Sequence, residues 1–245
     1  MATFVLVHPA WLGGWSWAKI TRLLAARGHA VYTPTLTGLG ERAHLASPQT
    51  GMGTHIDDIV NVLQFEDLDR VILAANSSGG AVVTAVADRV PERIRHLVYV
   101  DAFVPASGQC LVDLIPPDRR PAMELLTEQE GDGWLVPRFA PAPWEQFVPT
   151  AWQVTDQADL RWMLPRLRPT PLGHYTEAIQ LRHPDGPQPR RTYVRCQRWP
   201  NASFDRHAAH ARSAPDWDYY QLDSSHLPQI TDPDSLAAIL LKLAA

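Results

Sequence analysis

The stretch Val71-Ile-Leu-Ala-Ala-Asn-Ser-Ser-Gly-Gly80 decides the fold. Its first half is apolar at successive positions, the pattern of a strand buried on both faces, as in a parallel sheet covered by helices. Gly79 to Arg89 then reads as a helix, so the chain passes from strand to helix across a small-x-Ser-x-small turn. Such a turn lifts its serine clear of the sheet, and small neighbours at Ala75 and Gly79 relieve the crowding. Ser77 is therefore a candidate nucleophile, with an N-cap or anion-binding turn as the alternative that this segment alone leaves open. The helix start also places backbone N–H groups and a positive dipole end where an oxyanion would form.

Working outward, Phe4-Val-Leu-Val7, Ala30-Val-Tyr-Thr33 and His96-Leu-Val-Tyr-Val100 read as further strands. Between them, Trp15 to Arg27 carries Trp17, Ile20, Leu23 and Leu24 at helical spacing before Gly28, and His55 to Leu63 is expected as a helix with Thr54 as N-cap. This alternation predicts the α/β class, a mostly parallel sheet wrapped by helices. From Pro105 the rhythm breaks: most of the 22 prolines fall between Pro105 and Pro189, and Trp134, Trp144, Trp152 and Trp162 are scattered among polar residues. The pattern resumes with Thr192 to Cys196, a helix around Phe204 to Arg212, a strand Asp218 to Leu222 and a last helix Ser235 to Leu243. The expected organisation is one domain, an α/β core of residues 1–104 and 191–245 with a Pro/Trp-rich cap at 105–190. Ligands in open α/β sheets sit outside the carboxyl ends of the strands, and an insertion after the Val100 strand covers that edge.

At 245 residues, 45% hydrophobic and 20% charged, the chain can bury a sizeable core, which excludes a stapled peptide and a disordered chain. The net charge of -4 is spread in both signs, with no basic footprint for nucleic acid. No apolar run approaches the roughly 18 residues that span a bilayer, and the N-terminus reads as a strand and not as a signal peptide, so cytoplasmic residence is the default expectation. The two cysteines, Cys110 and Cys196, fit neither a metal knuckle nor a disulfide framework.

A serine nucleophile needs a base, and His226 in Leu222-Asp-Ser-Ser-His-Leu-Pro228 lies in the loop after the last strand. A surface loop histidine is the bland alternative. His207 and His210 lack further ligands, so no metal is expected, and His8 at the end of the first strand reads as a loop anchor.

The opening His8-Pro-Ala-Trp-Leu-Gly-Gly-Trp-Ser-Trp17, the Ala75-Asn-Ser-Ser-Gly-Gly80 turn and the terminal histidine loop resemble the α/β-hydrolase superfamily. They are most similar to its cofactor-free branch of plant methylesterases, hydroxynitrile lyases, bacterial esterases and pyrethroid hydrolases. Thr35-Leu-Thr-Gly-Leu-Gly-Glu-Arg42 and Val100-Asp-Ala-Phe-Val-Pro105 look like the bacterial members. The resemblance covers nearly the whole chain and implies catalysis without a cofactor, with the backbone N–H groups of Ala10 and Ser78 as oxyanion hole. It places Asn76 where the family often has histidine. The stretch Cys196-Gln-Arg-Trp-Pro-Asn-Ala202, where many relatives carry the acid, has no carboxylate. Asp101, aligned with the acid position of haloalkane dehalogenases, is the candidate to orient His226, with Asp205 as second choice and no carboxylate in reach of His226 as the remaining alternative.

The function these residues imply is a serine hydrolase that cleaves a small hydrophobic carboxylic ester through an acyl-enzyme. Trp11, Asn76, Phe103, Trp144 and Trp152 are the candidate pocket residues. The alternatives are a lyase, cyclase or lactone-opening enzyme on the same site, or a ligand-binding shell without turnover. A hydroxynitrile lyase is disfavoured by Leu227 and Pro9, where the plant enzymes carry a lysine and a hydroxyl residue. The only partner expected besides the substrate is a second copy in a homodimer.

Overall fold

The computed structural model describes residues 1–244. Six strands form one parallel sheet: β1 (Thr3–Val7), β2 (Ala30–Tyr32), β3 (Val71–Asn76), β4 (Ile94–Val100), β7 (Arg190–Cys196) and β8 (Trp217–Leu222), in the order β2-β1-β3-β4-β7-β8. Residue pairs such as Val7 with Ala75 and Asn76 with Val100 align the strands so that β1, β3 and β4 end side by side. Alternate side chains point to opposite faces. Phe4, Leu6, Ile72, Ala74, Val98 and Val100 pack with α1 (Ala18–Ala25) and α10 (Pro233–Leu243). Val5, Val7, Leu73, Ala75, Leu97 and Tyr99 pack with α2 (Met52–Phe65), α3 (Gly79–Arg89) and α8 (Ala202–Ser213). Burial on both faces is why these strands read as continuous apolar runs.

Several boundaries differ from the sequence expectation for physical reasons. The helix expected from Trp15 begins as a 3-10 turn, Gly14–Trp17, and Gly28 ends it with a φ of 79°. Helix α2 begins at Met52, so Thr54 is not its N-cap; its hydroxyl accepts the Gly51 N–H from the third position of the helix. Strand β7 begins two residues before Thr192, because Arg190 and Arg191 continue the ladder beside His96 and Leu97 of β4, with their side chains paired to Asp218 and Asp216.

Residues 105–190 hold four short helices, α4 (Arg120–Glu130), α5 (Trp144–Ala151), α6 (Gln157–Met163) and α7 (Gly173–Thr176). They also hold a two-stranded antiparallel pair, β5 (Leu135–Val136) and β6 (Thr170–Pro171). Trp11 ties this segment to the core: its N–H donates to Thr170 Oγ1 at 2.9 Å, its Nε1 to Val136 O at 2.9 Å, and its carbonyl accepts Arg168 N–H at 3.0 Å. The one-turn helix α9 (Pro228–Thr231) follows the histidine loop. Both cysteines are free, and no described helix is long and apolar enough to cross a membrane.

Candidate active site

Past the carboxyl ends of three strands a non-glycine residue adopts the left-handed region: Trp11 (φ 65°) four residues after β1, Ser77 (φ 54°) directly after β3 and Asp101 (φ 45°) directly after β4. Such residues are uncommon and persist where surrounding bonds over-determine them. Here Ser77 N–H donates to Val100 O at 3.2 Å, Phe103 N–H to Ser77 O at 3.0 Å and Asp101 N–H to Val194 O at 2.8 Å. Each strand end thereby fixes the turn next to it. The glycines after Ser77 are required by close approach, since a Cβ on Gly80 would lie 2.3 Å from Phe103 O and one on Gly79 2.9 Å from His8 O.

These turns bring the polar groups together. Asp101 Oδ2 lies 2.7 Å from His226 Nδ1, and both residues are buried. With Nδ1 so engaged, Nε2 is the ring nitrogen left for the cavity that His226 shares with Ser77. The His226 ring stacks on Phe204 (centroids 5.1 Å apart, 19° between planes) and meets the Trp199 ring edge-on at 4.3 Å. Its burial lowers its basicity below the ordinary value of 6.5, against the opposing pull of Asp101, so the imidazole is neutral near pH 7. Asp205, the second candidate acid, is not at the histidine; its Oδ1 accepts both Nε and Nη2 of Arg195.

Asn76, expected in the pocket, is turned inward and fully buried. Its Nδ2 donates to Val100 O at 2.8 Å and to His226 O at 3.1 Å, while its Oδ1 accepts from Gln229 at 3.1 Å. It therefore braces the histidine loop and does not line the cavity. On the opposite side, the His226 N–H donates to Trp152 O at 3.1 Å. His8 anchors a loop: its Nε2 accepts Leu36 N–H at 3.0 Å, and burial pushes its pKa down to about 4.

The Ala10 amide, expected to be free for an oxyanion, instead donates to Ser78 Oγ at 2.8 Å. Ser78 is the N-cap of α3, and its own N–H belongs to the first turn, where helix amides have no intrahelical acceptor.

The cavity measures about 180 Å³. From the core, Trp11, Phe103, Trp199 and Phe204 line it; from residues 105–190 come Phe139, Phe147 and Trp152, with Asp118 and Arg119 also on its lining. Trp144 does not reach it and packs one layer behind, 5.6 Å from the Trp11 ring and 5.5 Å from Trp152. Phe139 and Trp199 escaped sequence reading because single aromatic residues in irregular segments carry no periodic signal, and Phe147 and Phe204 because a helical aromatic residue reads as core whether or not it also lines a cavity.

The chain as a whole has relatives among known proteins. A carbendazim-hydrolysing esterase from Nocardioides sp. (strain SG-4G) is 51% identical over 116 residues, a match covering 47% of this chain and 48% of that protein. Methylesterase 7 from Arabidopsis thaliana is 24% identical over 255 residues, covering 98% of this chain and 95% of that one. The solved structure of an extracellular α/β-hydrolase from a Paenibacillus species superimposes with a TM-score of 0.86 at 24% identity, over 99% of this chain and 98% of that one. Residues 4–239 match the alpha/beta hydrolase family, to which this chain therefore belongs.

Proposed function

We propose that the protein is a carboxylic ester hydrolase acting on small hydrophobic esters through an acyl-enzyme at Ser77. The observation that carries this reading is the buried 2.7 Å contact between His226 and Asp101 beside a cavity that Ser77 also lines. Ser77 Oγ attacks the ester carbonyl while His226 Nε2 takes its proton, and Asp101 holds the tautomer and offsets the imidazolium charge. The Ser78 N–H at the start of α3 meets the developing oxyanion, while the Ala10 N–H is engaged by Ser78 Oγ. His226 then returns the proton to the leaving alkoxide, and water enters by the reverse sequence to release the acid.

Aromatic walls favour an apolar acyl or alcohol group, and segment 105–190 acts as the cap that chooses it. The alternative of a shell without turnover drew on the missing carboxylate after the penultimate strand; Asp101 beside His226 supports turnover instead. A fluorophosphonate probe and a p-nitrophenyl ester test the reading. The wild-type protein is expected to be labelled and to turn over the ester, and Ser77→Ala to lose both. An unlabelled wild type, or a Ser77→Ala variant that keeps turnover, would overturn it.

A further inference from the structure

The end of β7, where no carboxylate stands, carries Arg195 in its place. Its side chain is 6% exposed, beside a fully buried Asp101. Nη1 donates to Asp101 Oδ1 at 2.7 Å and also to Cys196 O. Nε and Nη2 donate to Asp205 Oδ1 at 2.9 and 2.8 Å, and Nη2 to Trp199 O at 2.9 Å. The Cys196 N–H adds a bond to Asp101 Oδ1 at 3.2 Å. One oxygen of Asp101 is therefore committed to β7, and among the described residues the other is hydrogen-bonded to His226 alone.

A buried ion pair is retained at a desolvation cost unless hydrogen bonds satisfy it, as they do here. Guanidinium does not deprotonate in proteins, so the cation next to Asp101 is permanent. Its field opposes an imidazolium, while Asp205, 59% exposed on α8, draws part of that field outward. The other groups around the histidine are accounted for. Burial pushes the Cys196 thiol and the Tyr193 phenol well up, so both are neutral. Asp232 acts on Cys196, Arg198 is paired with Asp223, and Trp152, Trp199 and Phe204 offer rings.

We propose that Arg195 is a positioning residue for the reaction, gripping Asp101 Oδ1 so that Oδ2 alone orients His226, with its charge divided between Asp101 and Asp205 to set how strongly Asp101 attracts the imidazolium. This rests on the hydrolase reading above. It separates charge from packing by sign. Arg195→Met leaves two carboxylates near the histidine, so His226 holds its proton to higher pH. Asp205→Asn turns the full guanidinium charge on Asp101, so His226 releases its proton at lower pH.

The test is the acid limb of kcat/KM against pH for a p-nitrophenyl ester, together with NMR titration of the His226 ring in a Ser77→Ala background. The limb and the ring titration are expected to rise by about one pH unit in Arg195→Met and to fall by a smaller step in Asp205→Asn. Movement in neither variant, or in the same direction in both, would overturn the proposal. If Arg195→Met fails to fold by circular dichroism, Asp205→Asn decides alone, and a limb that stays or rises sinks the idea. The ring titration needs no turnover, so it still reads the effect of Arg195 if the ester assay shows the hydrolase reading itself to be wrong.

Discussion

The two parts of the molecule that meet at the cavity are held by different forces. On the sheet side, position is set by backbone: Ser77 and Asp101 sit in left-handed turns pinned by neighbouring strands, and Asn76, His226 and Arg195 are tied by directed hydrogen bonds. On the side of residues 105–190, hydrogen bonds from Trp11 to Thr170 and Val136 hold the segment to the core, but the face turned to the cavity is mainly rings, with Trp144, Trp152 and Phe139 gathered around Trp11. Hydrogen bonds fix atoms to a few tenths of an ångström, whereas ring packing fills volume and tolerates exchange. Under the proposed function, the sheet side would define the reaction and residues 105–190 would choose the molecule.

Substitutions on the two sides should separate in kinetics. Asp101→Asn, which keeps shape but loses the charge facing His226, is expected to lower kcat by about 10⁴-fold in an ester assay, as for the acid of a Ser-His-Asp triad. A loss below about tenfold would remove Asp101 from the proton relay. Trp152→Ala on the inserted side should raise KM for aromatic esters about tenfold and leave kcat within a few-fold, because it removes binding shared by substrate and transition state. An equal fall in kcat would break the division between the two sides. The smallest effect is expected from Ser78→Ala. It releases the Ala10 N–H now engaged by Ser78 Oγ, so two amide donors face the oxyanion and kcat/KM should change by less than about tenfold.

The same division governs how much was legible in the sequence. Strands β1, β3 and β4 are visible because burial on both faces imposes runs of apolar residues, and the Ser77 turn is visible because only small residues fit beside it. The roles suggested for Ser77 and His226 follow from their places at a strand-to-helix turn and in the last loop, and that of Asp101 from the resemblance to haloalkane dehalogenases. Asn76 was misplaced because sequence shows that a polar residue sits next to the turn, not that its side chain points back to Val100 O. Arg195 was passed over for a related reason: a basic residue in a strand says nothing until its carboxylate partner, 94 positions earlier, is beside it. The walls of the cavity from 105–190 were the least readable, since proline-separated short helices offer aromatic residues without a period.

The Asp101–Arg195 pair also bears on inheritance. Losing either Asp101 or Arg195 by one substitution would strand the other charge in the interior, at a cost of several kcal/mol. The two positions are then expected to vary together, although they are 94 residues apart in the chain. Among proteins of this shape, an aspartate at the β4 position should travel with a basic residue at the Arg195 position, and a carboxylate at the β7 end should travel with neither.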